Sequence, residues 1–307
     1  MTQHPGIEFS ICTYNRSAYL KECVEALLKQ LIPGRTLITV IDNNSTDDTR
    51  DWVVQKMNQY SGLRYIHEPM QGLSFARNTA WYNALHAWVF YIDDDCLPPD
   101  NFVNAALALL DQHLHFDAFG GPVVALYKGN IPDWLPEGFG SFAMPYHKVT
   151  QMTTGFLRGP CFLIKKSVLE KLGGFNTELG VKGNALRYGE EIELQMRMRE
   201  AGYSIGYTPS LQIAHWIRTD KLDLGWVLRS EFARRRDKVL FDPVSLPKAT
   251  VHLCRTVLGR FLWTPVHLYH GLTSKSYSGK KALYDILKPM AFSTGEWWGT
   301  VQRIIKR

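Results

Sequence analysis

The sequence has few cysteines and no long apolar runs. Its 307 residues include five cysteines, an odd number with no Cys-x-x-Cys pair, so neither a disulfide framework nor a cysteine zinc site is expected. No run of about 18 apolar residues is present, and we therefore expect no membrane-spanning helix. The polar N-terminus lacks the basic and then apolar pattern of a signal peptide. These absences predict a cytoplasmic protein.

Two common nucleotide-binding motifs are also missing. The first apolar run is not followed by Gly-x-Gly-x-x-Gly, and no Walker lysine loop occurs, which disfavours dinucleotide-binding and P-loop proteins. Short apolar runs at 7–13, 36–41, 63–67 and 88–92 instead alternate with amphipathic helical patterns. This repetition predicts an α/β fold whose mostly parallel sheet is flanked by helices.

Charge is distributed unevenly along the chain. Before position 218 there are 18 Lys and Arg residues and 22 Asp and Glu residues, and from 218 onward there are 17 and 7, a net charge of +10. The sequence predicts an α/β domain over 1–217 and a basic, aromatic-rich helical extension over 218–307. Such an extension suits an anionic membrane surface, with peripheral binding at the inner face. It equally suits helices packed on the protein with a solvated basic side. No DNA-reading motif accompanies it, so no nucleic-acid partner is expected.

Three consecutive carboxylates, Asp93, Asp94 and Asp95, directly follow the apolar run 88–92. Ligands bind at the carboxyl ends of strands in open α/β sheets, and clustered carboxylates are best tolerated beside a cation. Hard oxygen ligands suit Mg²⁺ or Mn²⁺, particularly where a diphosphate completes the coordination. The alternative is an Asp-rich turn that caps the next helix. Placement at a strand end favours a metal and ligand site.

Neighbouring strands also end in polar residues. Asp42 ends the second predicted strand, and the cluster Thr13-Tyr14-Asn15-Arg16 ends the first. Each residue alone is more often a helix cap or a turn former. Their shared position at one edge of a parallel sheet predicts a nucleotide site, in which Tyr14 can stack on a planar ring.

Four segments in this order, Phe9–Arg16, Ile41–Asp47, Gly72–Asn78 and Asp93–Asp95, resemble the opening of a family 2 glycosyltransferase of bacterial type. Leu172–Asn176, Gly189–Glu193 and His215 extend the resemblance to about residue 216. The resemblance implies a GT-A fold, which is Rossmann-like. It also implies a nucleoside-diphosphate sugar donor and inversion at the anomeric carbon.

The resemblance further implies roles for individual residues. Asp95 would bind a divalent metal, Mn²⁺ or Mg²⁺, and His215 is a candidate second ligand. Thr13, Tyr14, Asp42 and Arg77 would hold the base and ribose, and Asp93 and Asp94 would lie near the ribose and the sugar. The complete set implied for the nucleotide sugar is Thr13, Tyr14, Asn15, Arg16, Asp42, Arg77, Asp93 and Asp94.

The general base is expected in the acidic pair Glu190-Glu191. Attack by an acceptor hydroxyl needs a base on the opposite face of the sugar, and the start of a predicted helix favours carboxylates. The family commonly has Glu-Asp here, with the second acid as base. By that position Glu191 is the base and Glu190 an acceptor-site or supporting residue. Because Glu191 is one methylene longer than Asp, the two roles remain exchangeable.

Together these features predict a metal-dependent inverting glycosyltransferase that moves one sugar to a hydroxyl of a saccharide or lipid-linked acceptor, in polysaccharide or glycolipid assembly. Residues 212–216 partly resemble the Gln-x-x-Arg-Trp motif of processive synthases, but the arginine is replaced, which favours one transfer per event. Two alternatives stay open. One is a non-catalytic nucleotide-sugar-binding subunit, and the other is a metal-dependent phosphohydrolase or nucleotidyltransferase that uses the same acids.

Overall fold

A computed structural model describes residues 5–183, 185–274 and 277–305. Their contacts divide the chain into two compact units. The first unit comprises residues 5–126, 140–183 and 190–216, and the second comprises 127–139, 185–189 and 217–305.

The first unit begins with a run of strands and helices in alternation, as the sequence predicts. The strands are β1 (Ile7–Thr13), β2 (Thr36–Asp42), β3 (Leu63–His67) and β4 (Trp88–Asp93), joined by helices α1 (Ser17–Leu28), α2 (Thr49–Met57) and α3 (Leu73–Tyr82). All four strands run parallel. Helix α3 ends at Tyr82, because Asn83 leaves the helical conformation.

The rest of this unit turns the sheet into a mixed one. It consists of β5 (Cys96–Leu97), α4 (Phe102–Gln112), β6 (Ala118–Gly120), β7 (Val123–Tyr127), β8 (Thr150–Gln151), β9 (Phe162–Lys165), α5 (Lys166–Leu172), α6 (Glu190–Glu200), β10 (Ile205–Tyr207) and β11 (Ile213–Ile217). Within the described ranges, eight strands form one sheet in the order β3-β2-β1-β4-β9-β6-β10-β8. A smaller sheet has the order β5-β11-β7. Strand β9 lies antiparallel to both β4 and β6.

The large sheet is buried on both faces, which explains the nearly continuous apolar runs of its central strands. On one face Phe9 stacks on Phe90 with ring centroids 5.5 Å apart, and Phe102 of α4 covers both rings. On the other face Tyr91 packs against Phe162 and Phe175. This packing fixes the strand register and therefore the positions of the strand ends.

The second unit is helical. It contains α7 (Leu224–Lys238), α8 (Leu246–Thr273) and α9 (Gly279–Ile305), so the predicted C-terminal helical extension is confirmed. The Glu296 carboxylate of α9 accepts a hydrogen bond from Arg235 of α7 at 2.6 Å and lies 2.7 Å from Nδ1 of His252 on α8. This buried acid therefore links all three helices. Among the described residues, no helix is both long enough and apolar enough to cross a bilayer.

Candidate active site

Polar side chains meet at the carboxyl ends of three parallel strands. The register places Thr13 beside Asp42, and Cys12 beside Asp93. The chain then turns through Asp94 and Asp95 into β5, where Cys96 pairs with His215 of β11. The three acids, the end of β1 and His215 are thus brought to one edge of the sheet.

Asp95 and His215 are in direct contact. The Nε2 atom of His215 lies 2.9 Å from Oδ1 of Asp95, and the backbone amide of Trp216 donates to the Asp95 carbonyl oxygen at 2.8 Å. These contacts hold β11 against the acidic turn. The two residues predicted as metal ligands therefore adjoin each other although they are far apart in sequence.

Asp93, Asp95 and His215 form a group with the character of a metal site. One ligand atom from each lies within 4.8 Å of the other two. Two carboxylates and an imidazole are a donor set that fits Mn²⁺, and oxygen ligands from a diphosphate would complete the shell. From the sequence Asp93 is expected at the nucleotide sugar, and the structure brings its carboxylate to the two predicted metal ligands.

Asp94 has a different environment. It is buried and accepts hydrogen bonds from Thr13 Oγ1 at 2.8 Å and from Arg16 Nη1 at 3.0 Å. Burial raises the pKa of this carboxyl and the Arg16 guanidinium opposes that rise. Asp94 therefore holds the loop after β1 in place, and Arg16 also approaches Asp95 at 3.5 Å.

The loop after β1 is braced against the loop after β2. Asn15 has a left-handed backbone, with φ of 52°, a conformation that asparagine tolerates better than most residues. Its backbone amide donates to Ser45 Oγ at 3.0 Å, and its Oδ1 accepts from the Thr46 amide at 2.7 Å. Tyr14, next to this brace, is half-buried. The exposed Asn15 thus positions the loop that carries Tyr14.

Asp42 is buried where β2 ends. Its Oδ1 accepts from the Ser45 amide at 2.8 Å, and its Oδ2 accepts from the Tyr65 hydroxyl at 2.7 Å. A carboxylate has about four acceptor positions, so capacity for a ligand remains. The contact of Tyr65 with Asp42 is not predictable from the sequence, because an aromatic residue in a short strand gives no signal of a polar partner.

Arg77 of α3 joins two parts of the site. Its side chain is 3% exposed, with Nη1 donating to Glu190 Oε1 at 2.8 Å and Nη2 to Asp93 Oδ1 at 3.4 Å. Gly159 makes room for it, since a Cβ there would lie 2.6 Å from Nη2. The residue assigned from the sequence to the base and ribose is thus seen between the acidic turn and the start of α6.

Glu190 and Glu191 begin α6 but differ in accessibility. Glu190 is only 5% exposed, whereas Glu191 is half-buried. Burial, followed by the charge of Glu191, raises the pKa of Glu190 above its ordinary value, and Arg77 acts in the opposite direction. The second acid of the pair is therefore the one with more access to solvent.

A GT-A arrangement, with a Rossmann-like sheet and acids at its strand ends, defines the class of protein. The family model for glycosyl transferase family 2 matches residues 9–173, more than half of the chain. The chain therefore belongs to glycosyl transferase family 2 and is a glycosyltransferase. The family and GT-A fold predicted from the sequence are confirmed.

Two curated relatives are similar over most of their length. Glycosyltransferase AglE of Haloferax volcanii is 24% identical over 275 residues, covering 86% of this chain and 83% of the relative. Succinoglycan biosynthesis protein ExoM of Rhizobium meliloti is 25% identical over 237 residues, covering 74% and 72%. Among solved structures, the mannosyltransferase PcManGT from Pyrobaculum calidifontis, in complex with GDP-Man and Mn²⁺, has a TM-score of 0.61 at 19% identity, covering 95% of this chain and 88% of that one. That likeness supports the fold.

Proposed function

We propose that this glycosyltransferase moves one sugar from a nucleoside-diphosphate sugar to an acceptor hydroxyl, with a divalent metal and with inversion at the anomeric carbon. The observation that carries the proposal is the group of Asp93, Asp95 and His215, whose ligand atoms lie within 4.8 Å of one another at the strand ends. The residues proposed for the nucleotide and for the base are in the same unit.

The donor would bind along the carboxyl ends of β1, β2 and β4. Tyr14 would stack on the base, and Asp42 would accept hydrogen bonds from base or ribose groups. Thr13, Asn15 and Arg16 would keep this loop in place through their contacts with Asp94, Ser45 and Thr46. The side chains that hold the nucleotide are thus preorganised, which reduces the entropy lost on binding.

Asp95 and His215 would hold the metal. Asp93 would be a further metal ligand and would not only contact the sugar. A bound divalent cation supplies charge neutralisation for the diphosphate leaving group. Arg77 contacts Asp93 and would fix the direction of that carboxylate. Both Mn²⁺ and Mg²⁺ suit the carboxylates, and the imidazole favours Mn²⁺.

Glu191 would take the proton from the acceptor hydroxyl. It is more accessible than Glu190, and a general base must come within hydrogen-bond reach of the hydroxyl it deprotonates. Glu190 is buried and directed at Arg77, so it would support Arg77 and through it Asp93. Glu191 would therefore act on the acceptor hydroxyl itself, and Glu190 would act only through Arg77.

The acceptor would be a saccharide or a lipid-linked glycan, in the assembly of a polysaccharide or glycolipid. The name of the ExoM relative refers to succinoglycan biosynthesis, which supports a polysaccharide context. The partial match to the processive motif at 212–216, without its arginine, favours transfer of one sugar per event.

A donor screen followed by a transfer assay tests the proposal. Thermal shift of the full-length protein with nucleoside diphosphates, nucleotide sugars and Mn²⁺ selects the donor, because a ligand of the folded state raises stability with concentration. We then expect consumption of the nucleotide-sugar donor that requires both metal and acceptor. The anomeric configuration of the product should be opposite to that of the donor. Donor hydrolysis at the same rate without acceptor would indicate a phosphohydrolase. Cleavage to a nucleoside monophosphate would indicate nucleotidyl chemistry, and binding without turnover a non-catalytic subunit.

A further inference from the structure

Helix α8 has a long apolar face that is exposed along its whole length. The residues Val251, Leu258, Phe261, Leu262, Tyr269 and Leu272 lie on one side at helical spacing, and all are exposed. Phe261 is 77% exposed and Leu272 is 88% exposed. At 1.5 Å per residue this α8 face extends over about 30 Å. The opposite side of α8 carries Ala249, which is fully buried, and His252 and Arg260, which contact α9.

The charge around the α8 face has one sign. Among the 28 residues of α8 there is no Asp or Glu, while Lys248 and Arg255 are exposed. These two basic residues are separated from Val251 by three and four positions, which places them on the same side of the helix. The apolar face is thus bordered by positive charge, within a segment of net charge +10 from residue 218 onward.

From this surface we infer that the α8 face docks on an anionic lipid bilayer, lying in the plane of the interface without crossing the membrane. An interfacial helix buries an apolar face at the boundary of headgroups and acyl chains, with Lys and Arg directed to the headgroups. Leu, Phe and Tyr supply the apolar contacts here, and Lys248 and Arg255 supply the attraction to anionic headgroups. The inference goes beyond the proposed function and does not depend on it.

A second copy of the chain fits this face less well. A two-stranded coiled coil has a narrow apolar seam flanked by opposite charges. On α8 the apolar side is wider than such a seam, because Leu262 and Tyr269 adjoin the line formed by Leu258, Phe261 and Leu272. The flanking Arg255 would also meet no acid from the other α8, since the helix has none. The charge and the width therefore favour a bilayer.

Co-sedimentation of the full-length protein with vesicles tests the inference without any substrate. Vesicles of phosphatidylcholine mixed with phosphatidylglycerol should bind the protein at about 0.1 M salt, and vesicles of phosphatidylcholine alone should bind it much less. Raising the salt to about 1 M shortens the Debye length from about 10 Å to about 3 Å, so binding to the anionic vesicles should weaken but not vanish. The residual binding is the contribution of the apolar face.

Three variants separate apolar from electrostatic contacts. The pair Phe261→Gln and Leu272→Gln should lower the partition coefficient at least about tenfold, because two exposed apolar groups no longer enter the interface. The pair Lys248→Gln and Arg255→Gln should lower it about fivefold per residue on anionic vesicles only. The matched control is Tyr82→Gln with Leu85→Gln, two exposed apolar residues of the first unit. It should bind like the unchanged protein.

Several outcomes would overturn the inference. Absence of binding to anionic vesicles at low salt is one, and unchanged binding of the Phe261→Gln/Leu272→Gln variant is another. Light scattering provides a third: a dimer that this variant converts to a monomer would assign the α8 face to a second copy. The replaced side chains are exposed, so each variant should fold. Its melting temperature checks that it does.

Discussion

At the scale of single residues, Glu190 and Glu191 have different surroundings although they are adjacent. We expect Glu191→Gln to lower kcat about 10²–10⁴-fold, the usual cost of losing a general base. Donor affinity should be nearly unchanged, because the amide keeps the shape of the side chain. Steady-state kinetics with the donor and acceptor from the transfer assay, together with calorimetry of donor binding, measures both quantities.

Glu190→Gln is the companion variant. It keeps a hydrogen-bond acceptor for Arg77 but removes the charge, so its effect on kcat should be smaller than that of Glu191→Gln and should be accompanied by weaker metal binding. An inactive Glu190→Gln enzyme beside an active Glu191→Gln enzyme would reverse the assignment of the base.

The acidic turn makes a separate prediction about metal. Asp95→Ala removes a carboxylate that lies 2.9 Å from His215 Nε2, and we expect it to abolish transfer. It should also abolish the effect of Mn²⁺ on nucleoside-diphosphate affinity, because the variant lacks a hard oxygen ligand for the metal ion that the diphosphate would also coordinate. Titration calorimetry with and without Mn²⁺ measures this. Asp100→Ala, at an exposed carboxylate beyond the turn, is the matched control, and equal metal responses in the two variants would place the metal elsewhere.

Residue patterns could predict which acids reach the site but not how they are held. The Asp93–Asp95 run is recognisable in the sequence because it directly follows an apolar strand. The ion pair between Arg77 and Glu190 joins residues 113 positions apart, and no periodicity connects them. The buried Glu8 is similar. It lies within an apolar strand pattern, and its partners Arg64 and Thr39 become visible only when β1, β2 and the start of β3 are aligned.

At the scale of elements, local sequence patterns predict strands and helices. They do not predict which strands pair when the partners are far apart in the chain. The parallel strands β1 to β4 each follow an amphipathic helix or precede one, so the sequence predicts that they are strands of a parallel sheet. The antiparallel strand β9 has only four residues, Phe162–Lys165. Its position between β4 and β6 depends on closing a long irregular segment, because residues 128–149 are mostly turns and bends. Short apolar runs carry no information about their partners.

The packing of α9 on α7 gives a prediction with a built-in control. Cβ atoms at Gly295 and Gly299 would each lie 2.3 Å from a backbone oxygen, that of Phe232 or of Arg236. We therefore expect Gly299→Ala to destabilise the second unit by about 1–3 kcal/mol, the usual cost of overpacking. Gly259→Ala, on α8 where a Cβ meets nothing within 4 Å, should instead stabilise it by about 0.5–1 kcal/mol.

Thermal unfolding of the full-length variants, followed by circular dichroism, compares the two glycines. Opposite shifts of the melting temperature are expected from the same chemical change. A Gly299→Ala protein at least as stable as the Gly259→Ala protein would mean that the close approach of α9 to α7 does not constrain the helices.

At the scale of the whole molecule, acidic and basic residues are segregated along the chain. Residues before 218 contain more Asp and Glu than Lys and Arg, and those from 218 onward contain an excess of ten basic residues. The acidic turn and the base candidates belong to the first unit, whereas α8 belongs to the second. This segregation predicts that the nucleotide and the bilayer bind to different segments of the chain.

Hydrogen exchange with mass-spectrometric readout tests that segregation on the full-length protein. Mn²⁺ with the selected nucleoside diphosphate should slow exchange in peptides that contain 13–16, 42–46 and 93–95. At about 100 times Kd a ligand adds about 2.7 kcal/mol, so amides that exchange only through an opening that releases the ligand should slow about 100-fold. Anionic vesicles should slow exchange along 251–272 and leave the three strand-end loops unchanged. Nucleotide protection confined to α8, or vesicle protection confined to the strand-end loops, would contradict the assignment of these two surfaces. The Phe261→Gln/Leu272→Gln variant should lose the vesicle effect and keep the nucleotide effect, because neither Phe261 nor Leu272 carries a group that could bind a metal or a phosphate.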